Sequence, residues 1–183
     1  MNTHLPLKEK YVGEIKAQLK EELGLTNLMA VPTVEKIVFN IGAGKTKDDA
    51  NLMKELVETL TVITGQKPII TNAKLAVSNF KVREGMPVGL MVTLRGQKMW
   101  YFLDKMINIA LPRTKDFRGV SPKSFDGNGN YTLGLRDQSI FPEVDTSKNI
   151  RLHGLQISII TSTNNDVHGR MLLKKLGMPF KAN

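Results

Sequence analysis

Gly42-Ala43-Gly44-Lys45-Thr46 stands after the apolar run Val34 to Ile41 and ahead of a helix-like stretch. Glycines followed by a lysine and a hydroxyl can wrap a phosphate in backbone N–H groups, neutralise it and hold its magnesium. The complete motif also needs a glycine five residues before Gly44, because the chain must curl round the anion with no side chain in the way. Phe39 occupies that position. The dinucleotide pattern fails at its third glycine, where Lys47 stands, and no strand ends in a convincing magnesium-binding aspartate. A nucleotide hydrolase built on Lys45 and Thr46 is therefore the weak alternative, and a glycine turn with solvated lysines is the better reading.

The other reactive groupings fail in the same way. Asp126-Gly127-Asn128-Gly129-Asn130 opens like a calcium loop, but Tyr131 takes the place of the sixth-position glycine and Asp137 that of the twelfth-position glutamate. A structural turn is expected there. His4, His153 and His168 have no metal-ligand spacing. Cysteine is absent, which removes disulfides, thiolate metal sites and cysteine nucleophiles. No serine sits in a nucleophile elbow, and no pair of carboxylates stands out for acid–base work. The chain reads as non-enzymatic, with no catalytic residue, metal or cofactor. Among the aromatics, Trp100 on its helix reads as core. Phe80, between Asn79 and Lys81, could instead stack on a nucleic-acid base.

Charge points to a partner. The 183 residues carry a net charge of +9. Residues 67–123 hold eleven of the 26 lysines and arginines but three of the 17 acids, an excess of eight, so the remainder is nearly neutral. A segregated positive field attracts polyanions, and nucleic acid is the commonest in the cytosol. Hydrophobic residues make up 41% and charged residues 23%, a globular composition. No apolar run reaches the ~18 residues of a membrane span, and Met1 to Lys10 lacks the apolar core of a signal peptide. The expectation is a cytoplasmic protein with no membrane partner.

The elements that must carry these residues follow from periodicity. An N-terminal helix is expected over about 5–24, with Leu5, Val12, Ile15, Leu19 and Leu23 on one stripe and Gly24 as its stop. Val34 to Ile41 reads as a strand. Asp48 and Asp49 favour a helix start, and Leu52, Leu56, Leu60 and Ile63 form the stripe that follows. Pro68 to Thr71 reads as a short strand. Val77 to Arg83 and Val88 to Leu94 read as two strands joined by Gly85-Met86-Pro87. In the second of them alternation places Thr93 and Arg95 on an exposed face. Gln97 to Leu111 reads as a helix ended by Pro112, Arg113 to Asn130 as a long ordered loop, Tyr131 to Leu135 and Leu155 to Thr161 as strands, and Asp166 to Leu176 as a closing helix. The fold class is α+β: one domain over 1–183, a mostly antiparallel sheet with helices packed on one face, an open basic RNA-binding face and long ordered loops.

Several stretches are familiar together. They are Val31-Pro32 with Val34-Glu35-Lys36-Ile37, Ile63-Thr64-Gly65-Gln66-Lys67-Pro68 to Lys74, and Val92-Thr93-Leu94-Arg95-Gly96 with Met99-Trp100. Pro112-Arg113 with Asp116-Phe117-Arg118-Gly119, Lys123-Ser124-Phe125-Asp126-Gly127 and Ile140-Phe141-Pro142-Glu143 complete the set. From about Tyr11 to Phe180 the chain resembles the fifth bacterial large-subunit ribosomal protein family, the 5S rRNA-binding family of the universal uL5 type. The resemblance implies a structural role in the central protuberance, tying 5S rRNA to the large-subunit rRNA. It implies 5S rRNA contacts at Asn40, Gln66, Lys67, Thr93 and Arg95. It implies a protruding loop over about 72–85 that reaches peptidyl-site tRNA with Lys74, Ser78, Phe80, Lys81 and Arg83. It also implies an inter-subunit bridge to a small-subunit head protein, placed around Asp137 to Lys148, beside neighbouring large-subunit proteins. A general RNA chaperone with the same sheet is the blander alternative.

Overall fold

The computed structural model describes residues 6–44, 50–115, 117–144 and 153–181. His4, Lys45, Thr46, Lys47, the helix start at Asp48-Asp49 and Asp116 lie outside them. The chain is α+β, with a five-stranded antiparallel sheet in the order β2-β3-β1-β5-β4. The strands are β1 (Val34–Gly42), β2 (Ile69–Asn72), β3 (Pro87–Leu94), β4 (Tyr131–Leu135) and β5 (Leu155–Thr161). The helices are α1 (Pro6–Lys10), α2 (Lys16–Glu22), α3 (Ala50–Thr64), α4 (Gly96–Lys105) and α5 (Asp166–Lys175). Two compact units emerge. The first comprises Met1–Ile37, Arg95–Leu133 and Ser158–Asn183; the second comprises Val38–Leu94 and Gly134–Ile157.

In the first unit the N-terminal helical run is interrupted. A π turn over Tyr11–Ile15 joins α1 to α2, and Lys16 N–H donates to Tyr11 O. That insertion widens the repeat to four residues, so Leu7, Tyr11, Ile15 and Leu19 are buried. Val12, expected on the buried stripe, is 62% exposed for the same reason. The Tyr11 ring lies 5.4 Å from Trp100, and its hydroxyl donates to Pro32 O at 2.8 Å. Trp100 is core, as its helical position suggested. After α4 the chain again takes a π turn over Met106–Ala110.

The long loop before β4 is ordered by its own polar groups. Asp126 accepts from the backbone N–H groups of Asn128 and Asn130 and from the Asn130 side chain. The Asn130 amide, with help from those N–H groups, holds the Asp126 carboxyl below the usual carboxylate range. The carboxylate is thus committed to a turn, and the described residues hold no cluster of metal ligands. Asp166, at the start of α5, accepts from Gly127 N–H and Gly129 N–H. Gly129 has φ +75°, and a Cβ there would meet Thr163 O at 2.4 Å. Beyond it Tyr131 is fully buried, 4.9 Å from Phe125, and donates its hydroxyl to Ser121 O.

In the second unit α3 packs against β3. Met53, Leu56, Leu60 and Ile63 of the helix are buried, as are Leu90, Val92 and Leu94 of β3 and Phe39 and Ile41 of β1. The expected hairpin between Val77–Arg83 and β3 is not formed. β3 pairs with β2, Ile69 opposite Met91 and Thr71 opposite Gly89. Val77 to Arg83 folds back on itself instead: Val77 and Val82 exchange both backbone hydrogen bonds around a 3₁₀ turn at Ser78–Phe80. Lys81 closes that turn in the left-handed region, at φ +51°. Short polar residues at the tip favour a local turn over an extended strand.

Gly129→Ala should lower stability by about 2–4 kcal/mol, read from the denaturant midpoint. Gly134→Ala, where nothing stands within 4 Å of the new Cβ, should cost under about 1 kcal/mol. Burial pushes the Tyr131 hydroxyl up to about 12, against a smaller lowering from Ser124. Its folded value thus lies above its unfolded value, so its contribution is complete below the unfolded value near pH ~10. That contribution should be lost as pH rises from 10 to 12, and a Tyr131→Phe variant should lack this part of the alkaline unfolding profile.

Candidate nucleic-acid interface

Strand alternation divides the second unit's sheet residues into two sets. Phe39, Ile41, Leu90, Val92 and Leu94 go to the buried side. Val38, Asn40, Met91, Thr93, Ile69 and Thr71 go to the other, and none of these is buried. Ile69 is 65% exposed. A face whose side chains stay accessible among the described residues can receive a folded RNA. It is polar at Asn40, Thr71 and Thr93 and apolar at Ile69 and Met91.

Gly89, opposite Thr71 on β2, shares the parity of Met91 and Thr93 but is itself buried. A Cβ there would meet Ile41 O at 2.8 Å and Thr71 Oγ1 at 2.9 Å. Its missing side chain therefore lets β1 and the Thr71 hydroxyl close over β3.

Gln66 sits where β2 has not yet begun. The α3 helix ends at Gly65, φ +65°, whose N–H donates to Thr61 O. Thr64 Oγ1 donates to Leu60 O at 2.7 Å and accepts from the N–H of Gln66 at 3.3 Å. With its backbone fixed, Gln66 donates Nε2–H to Thr93 O at 3.3 Å. The pairing of β2 with β3 starts only at Ile69–Met91, so the side-chain amide serves a carbonyl that the ladder leaves open. Its Oε1 accepts from none of the described residues.

Four of the five expected contact residues, Asn40, Gln66, Lys67 and Thr93, fall in this unit. Asn40 and Lys67 are exposed; Gln66 and Thr93 are half-buried. Arg95 follows two residues after Thr93, exposed and in extended backbone at φ −138°, and is the first residue of the other unit's second segment. The five are not equivalent: the Gln66 side chain has a structural bond, whereas the Asn40 side chain is exposed and makes none to the described residues.

The loop after β2 is closed at its base by Ala73 N–H to Met86 O at 2.8 Å and Gly85 N–H to Ala73 O at 2.9 Å. Lys74, Ser78, Phe80, Lys81 and Arg83 are all exposed, Phe80 by 73%. Leu75, at 76%, is exposed beside them and was missed in the sequence, as was Ile69. The available signal was length: a four-residue edge strand running into a polar loop has little to cover its apolar side chains.

Two family models divide the chain between them. Residues 27–83 match the model described as ribosomal protein L5, and residues 87–180 match the ribosomal L5P family C-terminus. The chain belongs to the L5 family of ribosomal proteins. Relatives named large ribosomal subunit protein uL5 agree over nearly the full length. That of Acidobacterium capsulatum is 56% identical over 175 residues, 96% of this chain and of its own. That of Natranaerobius thermophilus is 53% identical over 174 residues, 95% of this chain and 97% of its own. The L5 family is structural rather than enzymatic, so the nucleotide-hydrolase alternative falls. Within the described residues, Phe39 is fully buried in β1 and Ala43 N–H donates to Val88 O, which extends the sheet at the would-be phosphate loop. Among the described residues no helix is long and apolar enough to cross a membrane.

Gln66→Leu should cost about 1 kcal/mol of stability through the lost bond to Thr93 O. Asn40→Ala should stay within about 0.5 kcal/mol of the parent. Urea unfolding of the two variants separates the structural amide from the free one.

Proposed function

We propose that this L5-family chain is a structural constituent of the large ribosomal subunit that binds 5S rRNA through the uncovered sheet face of its second unit and the cations beside it. The observation that carries the reading is that face: Asn40 and Thr93 unburied, Gln66 anchored at its margin, Lys67 exposed next to it. Asn40 and Gln66 Oε1 suit base edges and 2′-hydroxyls, Thr93 adds a hydroxyl, and Lys67 and Arg95 suit phosphates. Attachment of 5S rRNA to the large-subunit rRNA in the cytoplasmic ribosome follows from the same assignment.

The closed loop from Ala73 to Met86 serves peptidyl-site tRNA in this reading. Lys74, Lys81 and Arg83 supply charge, Ser78 a hydroxyl and Phe80 a stacking surface. Backbone contacts of that kind carry no sequence information, as a site used by every tRNA requires. The stretch from Asp137 to Val144 belongs to the bridge with a small-subunit head protein; Asp145 to Lys148 lie outside the described residues. The relatives' shared name, large ribosomal subunit protein uL5, supports the assembly.

The Gln66→Ala, Arg95→Ala double variant should bind 5S rRNA at least about tenfold more weakly while keeping a folded spectrum. Affinity should fall steeply with salt, losing about 0.7–0.9 log units per decade for each phosphate contacted. Unchanged affinity would remove both residues from the site, and equal affinity for unrelated structured RNAs would favour an RNA chaperone. Replacing Lys74, Lys81 and Arg83 together with alanine should leave 5S binding intact and weaken tRNA retention on reconstituted ribosomes.

A further inference from the structure

Helix α5 and the segment that follows it enclose a groove of about 560 Å³ within the first unit. Arg170, Lys174 and Lys181 line it together with Met171, Met178 and Phe180, and no carboxylate is among its lining residues. Arg170 and Lys174 are exposed and one turn apart, so they project from the same side of α5. None of the three cations belongs to the basic 67–123 segment, and none is used by the 5S or tRNA reading above.

The groove is built in advance. Val120 N–H donates to Pro179 O at 2.8 Å, and Lys181 N–H donates to Val120 O at 2.9 Å. Gly119 permits that approach: at φ +97°, a Cβ there would come within 2.6 Å of Lys181 N. Phe180 meets Tyr131 edge-on at 5.6 Å and stacks toward Phe125 at 6.3 Å. Met178 N–H returns to Leu173 O at 2.9 Å and fixes the end of α5. Both walls are thus held by backbone bonds, and the rim side chains are left to reach outward.

We propose that this groove takes a single-stranded segment of RNA, with phosphates on Arg170, Lys174 and Lys181 and an unstacked base against Met171 and Phe180, above the buried Met178. Three cations with no acid among the described lining residues favour an occupant with several negative charges. The apolar floor requires a flat or apolar body between those charges. A nucleotide carries both features in one residue, and single-stranded RNA is recognised by this combination of charge and apolar platform. A duplex keeps its bases stacked inside and cannot use the floor. An acidic peptide would have to supply its charge and its apolar bulk from different residues in register.

The test uses the full chain with labelled methionine methyl groups and an oligouridine octamer. The Met171 and Met178 signals should shift on addition. Arg170→Gln with Lys174→Gln should weaken octamer binding and lower the slope of log affinity against log salt by about 1.4, two single-strand phosphates' worth. Affinity for 5S rRNA should change by less than about twofold, because those contacts lie elsewhere. Both substituted residues are exposed, and an unchanged melting temperature verifies the fold. Motionless Met171 and Met178 signals at saturation would overturn the proposal, as would a shift confined to Met91 on the sheet face or an unaltered salt slope in the double variant. Tighter binding by an acidic, methionine-rich peptide of equal charge would overturn the RNA assignment.

Discussion

A sheet that leaves one face uncovered must be held wholly from the other. In the second unit that task falls on the contact between α3 and β3, where Leu56 and Leu60 meet a sheet whose Phe39, Leu90, Val92 and Leu94 are almost completely buried. Each such side chain contributes about 1.5–3 kcal/mol through its removal from water. The same alternation that buries these residues turns Asn40, Met91 and Thr93 the other way. The proposed RNA surface is therefore a consequence of the core: shift β3 by one residue and Thr93 goes inward while Leu94 goes out.

One-sided burial also creates a weakness at the margin, since β2 is a short edge strand that begins only at Ile69. Thr93 O would lack a partner there, and Gln66 fills the gap from the turn after α3. Its position depends on Gly65 in the left-handed region and on the Thr64 hydroxyl, so a helix end sets a side chain on the sheet's border. Past the other end of β2, the loop is closed by backbone bonds at Ala73 and again at Val77–Val82. Exposed residues such as Lys74 and Phe80 are thus presented by a defined backbone. Charge is displayed from a scaffold of neutral hydrogen bonds.

Most of this scaffold was legible in the sequence. The stripe of α3, the strand Val34 to Ile41, the alternation of β3 and the turn at Asp126–Asn130 each express a local period or a local hydrogen-bond preference. What was not legible arose from non-local competition. Val77 to Arg83 has strand-like composition, but β3 could pair with only one neighbour on that side, and Ile69–Asn72 took it. Val12 reads as core until the π turn displaces it. The site was half readable: alternation exposes Thr93, whereas the anchoring of Gln66 depends on where β2 happens to start. The cations at Arg170, Lys174 and Lys181 escape a count along the chain, because only the pinning of the 179–181 segment to Val120 gathers them.

Attraction and discrimination then rest on different residues. Lys67, Lys74 and Arg83 are exposed, and flexible cations of this kind act on whichever phosphate lies within a Debye length, so each attracts its own partner without reading sequence. In the proposed 5S reading, Gln66, Gly89 and Thr93 act by shape. Gly89 shows this most sharply, for it has no side chain to offer an RNA. An added methyl group would press on Ile41 O and Thr71 Oγ1 and spread the strands beneath Asn40 and Thr93. Such a change leaves every charge in place and alters only the spacing of the hydrogen-bonding groups, so it should erode selectivity for the cognate RNA while sparing the salt dependence that the cations impose.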